Sequence, residues 1–582
     1  MRRVVLTVAV CLFLPLSGYC QSDDEIGKIA AFLGVISEED LSEDEVEYFT
    51  DLIRRPLKIN MSTRSKLLSS GLFTSYQVAT LIEHQKRTGM VFSLAELASI
   101  DGFGSRYVEL LRPFISIETS MTSDALIPAS RRVYQELSLR AGYRYSSGHQ
   151  WQYGLKYGMD AGCGVRFSMG ISRGLSAKTP APSAYSISAA YDFKKIDARL
   201  ILGDFNARFG QGSVAWNGTF TNPLTSPSGF MKKASGLSSA RSFTGSSANV
   251  GIASELAFGR FTVSASVAFP GLKDALINGK KLTTAKLSIL PLINVRWATK
   301  IGSFGVTSSV ERHFFQENDE INASTSLDAS LCIAGVNIFA ETAYDWILRK
   351  FNVIAGVDLS PIDQLRIAAL GGWRQNSQWQ FATSANLVAG SDKSHSLTVS
   401  SELLYYPIPK EKTENYSAQV KSQLYWAWKA SKYLIFRLKV SDRFRTWGQK
   451  HRTEVRSEFS LPLGSWTVDA RMSVLKCRNH ALLGHLDASY KIHPINLHLR
   501  VGVFKIDHWD DRIYVYEYDA PGSFNVPAYY GRGVWGAAVF SYRIQRYLRI
   551  YFRASYIAYP FRQVQNKKPG RAELKIQSVF RF

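Results

Sequence analysis

The sequence predicts a mainly β protein, a large antiparallel transmembrane β-barrel of about 24 strands preceded by a small all-α domain. Three observations predict it. From Arg131 to the C-terminal Phe582, segments of about ten residues alternate apolar and polar side chains, the period-two pattern of strands with one apolar face. No stretch beyond the N-terminus supplies the ~20 apolar residues of a membrane helix, yet 28 Tyr, 33 Phe and 12 Trp provide the aromatics of interfacial girdles. Connections between segments also alternate between short and long, as in barrels with short periplasmic turns and long outer loops.

Met1–Cys20 reads as a secretory signal: Arg2 and Arg3, an apolar run from Val4 to Leu16, then Ser17-Gly18-Tyr19-Cys20 with small residues at the cleavage positions. Cleavage is expected before Gln21. A lipid anchor on Cys20 is the rival reading, and bulky Tyr19 opposes it. Cys163, Cys332 and Cys477 remain, an odd number without the spacing of a disulfide framework or zinc site.

The formal net charge of +22 is unevenly spread. Between Gln21 and Ser120 there are 10 basic and 16 acidic residues; from residue 121 onward there are 58 basic and 32 acidic. A basic barrel suits polyanions. Lipopolysaccharide phosphates of the outer leaflet, alongside membrane lipid, are the plain candidate partners, and DNA is the sharper one.

The leader, residues 21–55, carries Ile26, Ile29, Phe32, Leu33, Leu41, Val46, Phe49 and Leu52 at helical spacings, with breaks at Gly34 and Ser42. Two short helices are expected, their acidic faces solvated. Residues 56–118 form a second helical unit. Ser62 is expected to cap a first helix, Gln77–Arg87 a second, Leu94–Ile100 a third and Ser105–Leu111 a fourth, before a linker at 119–130 and the barrel at 131–582.

This unit carries Ile59-Asn60-x-Ser62-Thr63, Leu81-Ile82-Glu83-His84-Gln85-x-x-x-Gly89-x-x-Phe92-Ser93-x-x-Glu96-Leu97 and Ile100-Asp101-Gly102-Phe103-Gly104. On these residues it resembles the tandem helix-hairpin-helix domain of the periplasmic DNA receptor ComEA. With the later Gly203-Asp204-Phe205 and Phe209-Gly210-Gln211-Gly212, the chain also resembles a Bacteroidota-type group of outer-membrane proteins that join such a domain to a large barrel. The resemblance implies DNA binding without sequence preference, in uptake or retention. Glycines 102 and 104 would allow the tight turn, Phe103 would anchor it, and the amides up to Ser105 would meet a phosphate. Arg106, Lys86 and Arg87 would add charge, and Thr74 and Ser75 would stand at the first hairpin. There the family has Gly-x-Gly and this chain has Leu72-Phe73-Thr74, so one phosphate turn is retained. Helix-hairpin-helix pairs also dock proteins, and a small helical domain ahead of a barrel can plug it; that is the alternative function, in a transport or assembly component with a periplasmic or outer-membrane protein partner.

In the barrel, the last strand sets Ala572, Leu574, Ile576, Phe580 and Phe582 against Glu573, Lys575, Gln577 and Arg581. Loop parity makes Asp507–Gly531 one outer loop, with Ile513–Tyr518 in a hairpin above the membrane, and puts both barrel ends in the periplasm. So wide a barrel needs a plug. The loop Asn206–Ser247, with Phe209, Gly210, Gln211, Gly212, Lys232 and Lys233, is expected to pack inward and stiffen the wall; lining an anion pathway is the other reading. No P-loop or HExxH occurs, and Gly170-Ile171-Ser172-Arg173-Gly174 falls where a barrel strand meets its outer loop rather than at a strand-to-helix elbow, so no enzyme activity or cofactor is expected. Asp507-His508-Trp509-Asp510-Asp511 is read as an acidic loop, not a metal site, and His84 as a surface residue.

Overall fold

The computed structural model describes residues 25–117, 133–560 and 570–582, apart from 147, 162–163, 178, 194, 219–223, 241–247, 277–285, 315–320, 334, 391, 412–414 and 449–450. The signal segment Met1–Cys20, the linker 119–130 and Cys163 lie outside the described residues.

Alternation decides which way each wall residue points. Along Ser288–Ala298, Ser288, Leu292, Asn294, Arg296 and Ala298 are buried, while Ile293, Val295 and Trp297 are exposed. In the final strand, Arg571–Arg581, Leu574 and Ile576 are about half exposed, whereas Glu573, Lys575 and Gln577 are buried. The apolar row therefore faces outward and the polar row faces the lumen. Neighbouring strands pair antiparallel in sequence order, and the last closes on the first, Val133–Tyr145, from Ala572 opposite Tyr145 to Arg581 opposite Glu136. The wall has 24 strands. A short extra strand, Gly236–Ser239, pairs with the far end of Ala198–Arg208, whose near part pairs with Asn249–Phe258. Closure leaves the wall no unpaired edge, which is what lipid demands. Aromatic side chains gather at the rims; Phe258, Phe261, Trp297 and Phe304 stack in series at 5.8, 6.3 and 5.9 Å.

The helical domain has six α-helices among the described residues: α1 (Glu25–Leu33), α2 (Glu43–Arg54), α3 (Arg64–Ser69), α4 (Ser75–Thr88), α5 (Leu94–Ser99) and α6 (Ser105–Leu111). Their starts follow from local chemistry. Ser42 and Glu45 form a reciprocal capping box at α2, and Thr74 and Gln77 form another at α4. Thr63, not Ser62, caps α3 by accepting from the Lys66 N–H; the Ser62 hydroxyl donates to the Lys58 carbonyl instead. Phe32, Phe49 and Phe114 meet at 5.0–5.6 Å, joining the leader to the second helical unit. A two-residue parallel pairing, Leu57 with Ile115 and Lys58 with Ser116, fastens that unit's beginning to its end. Residues 25–117 thus fold around one hydrophobic cluster, to which, among the described residues, only Phe524 is added from elsewhere.

Candidate functional site: a plugged lumen

The helical domain lies inside the barrel, and polar contacts hold it there. Glu39, in the turn between α1 and α2, reaches two wall arginines. Arg456 meets it at 3.0 Å, and Arg471 also bonds it. Beside it, the Lys439 ammonium donates to the Ser37 hydroxyl. Glu47 of α2 pairs with Lys156, and both are buried. Arg55 pairs with Glu136 at 3.2 Å, and Glu136 also accepts from Arg581 at 2.9 Å, next to the closing seam. The Arg64 guanidinium donates to the Gly259 carbonyl at 2.8 Å, in a short turn at the rim. Arg296 donates to the Ser75 hydroxyl at 2.9 Å, and Arg106 donates to Asn386.

Burial alone would raise the Glu39 carboxyl, but Arg471 and Arg456, with Lys439 nearby, hold it well below the ordinary carboxylate range. The same burial pushes Tyr48 up to about 12. The leader's acidic residues are therefore not a solvated face, as the sequence suggested. Glu45 and Glu47 are buried, and Glu39 is seated among lumen arginines. Charge explains the correction: an acidic leader beside a basic barrel finds its counter-ions in the wall. Much of the barrel's positive charge is spent inside too, since Arg199, Arg296, Arg456, Arg500 and Arg553 are all buried.

From the outer side two loops fold inward over the domain. In the first, Phe209 packs with Phe205, Leu237 and Ala215. The Gln211 and Ser213 N–H groups donate to the wall carboxylate Glu341 at 2.7 and 3.1 Å. Gly210, at φ 57°, lies so close that an added Cβ would sit 2.8 Å from Glu341, and Gly212 has φ 86°. Lys232 stands 4.9 Å over the Trp216 ring, and Lys233 lies 3.9 Å over the Phe32 ring of α1. Thr225 and Ser226 hydroxyls donate to the Gly34 carbonyl, joining loop to domain. In the second loop, Ile513 and Tyr514 pair with Tyr529 and Ala528. This hairpin is inside the lumen, not above the membrane. Glu517 pairs with Arg553, Asp519 with Lys575, and the Tyr516 N–H donates to Glu39 at 3.3 Å. Lumen-facing arginines and lysines offered this loop better partners than solvent did. Asp507 is taken up by Arg532, and Asp511 accepts the Arg478 and Asn479 N–H groups.

The residues suggested for nucleic acid divide into two sets. Thr74 caps α4, Ser75 accepts from Arg296, and Arg106 is engaged by Asn386. Gly102 and Gly104 have φ of 86° and 72°, and Phe103 is buried between them. The Gly102 carbonyl accepts from Gln77 at 2.7 Å, while Gly104, Ser105, Lys86 and Arg87 are exposed. His84, partly exposed on α4, sets its ring 3.0 Å from Glu96.

These features define a plugged barrel of the bacterial outer membrane, its helical domain lodged in the lumen. The chain matches no protein family and no curated protein. Among solved structures it is similar to a mutant ferric enterobactin receptor of Pseudomonas aeruginosa in complex with enterobactin: 8% identity, 78% of this chain and 82% of that one, TM-score 0.43. It is also similar to the P pilus usher translocation pore (9%, 77% and 99%, TM-score 0.38) and the copper transporter OprC (8%, 78% and 80%, TM-score 0.39).

Proposed function

We propose that this chain is a gated transport or assembly component of the outer membrane, closed by its own helical domain and opened when that domain is displaced toward the periplasm. One observation carries the reading. Among the described residues the domain's hydrophobic core takes in one side chain from outside, Phe524, and the domain meets the wall mainly through ion pairs and hydrogen bonds. Such contacts exchange for water at modest net cost, whereas an apolar interface would have to be torn open. The domain is therefore built to leave in one piece. The test compares single-channel current through the intact chain with that of a chain lacking residues 25–117. A closed intact chain and a conducting deletion support gating by the domain; equal currents refute it.

A second reading, DNA contact by the ComEA-like hairpin, is favoured by the two positive-φ glycines around buried Phe103, with Ser105, Lys86 and Arg87 exposed. A gel-shift with the intact chain tests it. Duplex binding that weakens with salt and with Lys86→Ala/Arg87→Ala supports this reading, and no shift at low salt removes it.

A further inference from the structure

The outer half of the lumen holds a cavity of about 500 Å³ between the first inturned loop and five consecutive wall strands, Lys350–Ile362, Leu365–Arg374, Gln378–Ala389, His395–Tyr406 and Ser417–Ser431. Arg374 and Gln378, on either side of an outer turn, mark its outer end. Three cations line it: Lys232, Arg374 and Lys421. One carboxylate, Glu402, lines it too, and accepts from the Gln380 amide at 2.7 Å. Lys421 is across from Glu402 in strand register, yet among the described residues neither Lys421 nor Arg374 forms an ion pair. Burial and the facing Arg374 both push the Lys232 ammonium toward its neutral form, against Glu341 behind it. Three cations thus face one lining carboxylate, Glu402, with Glu341 behind Lys232, so positive charge is in excess on the cavity wall.

The second, independent observation is an amide. Gln423 is only 7% exposed, lines the same cavity, and its Oε1 has no hydrogen-bond partner among the described residues. A buried amide oxygen without a partner is a cost that a native protein rarely carries without reason. A bound hydroxyl would remove it. Gln211 and Gln380, also on the cavity wall, add further groups that donate and accept at once, as neighbouring sugar hydroxyls require. The volume falls in the range of small-molecule sites, roughly 300–1,000 Å³.

We propose that this cavity is a binding site for a small acidic sugar, its carboxylate among Lys232, Arg374 and Lys421 and its hydroxyls against the amides of Gln380 and Gln423. The reading extends the transport function by giving it a solute. Binding is measured apart from conductance, so the failure of either proposal is distinguishable from that of the other.

The test is calorimetric titration of the intact chain in lipid nanodiscs with glucuronate, galacturonate and N-acetylneuraminate, against glucose and inorganic phosphate. At least one acidic sugar is expected to bind about tenfold or more tightly than either control, since both a charge-assisted contact and hydroxyl recognition are then in play. Arg374→Gln with Lys421→Gln should abolish that preference over glucose. Gln423→Leu should weaken the acidic sugar about tenfold while leaving phosphate unchanged. Absence of binding by all three acids, equal binding of glucose, or equal binding of phosphate overturns the assignment. If the double variant fails to fold, judged by its heat-dependent migration on gels, discrimination among the five ligands by the unaltered chain decides alone.

Discussion

At the residue scale the account turns on Glu39. Its side chain touches two lumen arginines and the backbone of the second outer loop, so one carboxylate ties plug, wall and loop together. Replacing it with Ala leaves Arg456 and Arg471 buried with Glu458 as their one remaining ion-pair partner among the described residues, a loss of ~3 kcal/mol in docking. Urea titration of the current should show the variant opening at lower denaturant. The pH dependence has a definite sign. A carboxyl held below its ordinary value binds fewer protons docked than released. Its contribution is complete above about 4.5, the free-glutamate value, and is lost as pH falls through the docked value. Acid should therefore loosen the plug, and Glu39→Gln should remove that component. Gly102 makes a different point. A Cβ there would sit 2.8 Å from the Tyr76 ring on a backbone with φ 86°, so Gly102→Val should destabilise the helical domain by ~1–3 kcal/mol. Hydrogen exchange of α4 and α6 is the measurement, and unchanged protection would contradict the packing described.

At the scale of elements, what was legible in the sequence was local. Alternation fixed which side of each strand meets lipid, because a one-residue step reverses a side chain. Leu574 and Glu573 show it side by side. Caps were legible wherever a hydroxyl stood at the right spacing, with one displacement from Ser62 to Thr63. Contacts between distant segments were not legible: Glu39 and Arg471 are 432 residues apart, and nothing in the leader's periodicity names its partner. Nor did the pattern of Ile513–Tyr518 reveal that its hairpin turns into the lumen, since lumen and water are both polar destinations. The missed signal was the opposition of charge between leader and barrel. The element-scale prediction concerns the first inturned loop. Glu341→Ala frees the Gln211 and Ser213 N–H groups it now accepts. Trypsin should then cleave the loop faster at Lys232 or Lys233, and an unchanged cleavage rate would argue against this anchor.

At the scale of the whole molecule, two structures share one lumen. The wall is stable through its closed ladder, and the helical domain through its own core. The interface between them is mainly polar, and the proposed gating rests on that. The most direct measurement uses the buried pair Glu47 and Lys156. With the native cysteines changed to serine, Glu47→Cys and Lys156→Cys are bridged by a short bifunctional thiol reagent, and single-channel current is recorded in moderate urea before and after the bridge is cleaved. The account predicts a closed channel while the bridge holds and an open one once it is cut. No bridge at this position, or the same current in both states, would contradict it.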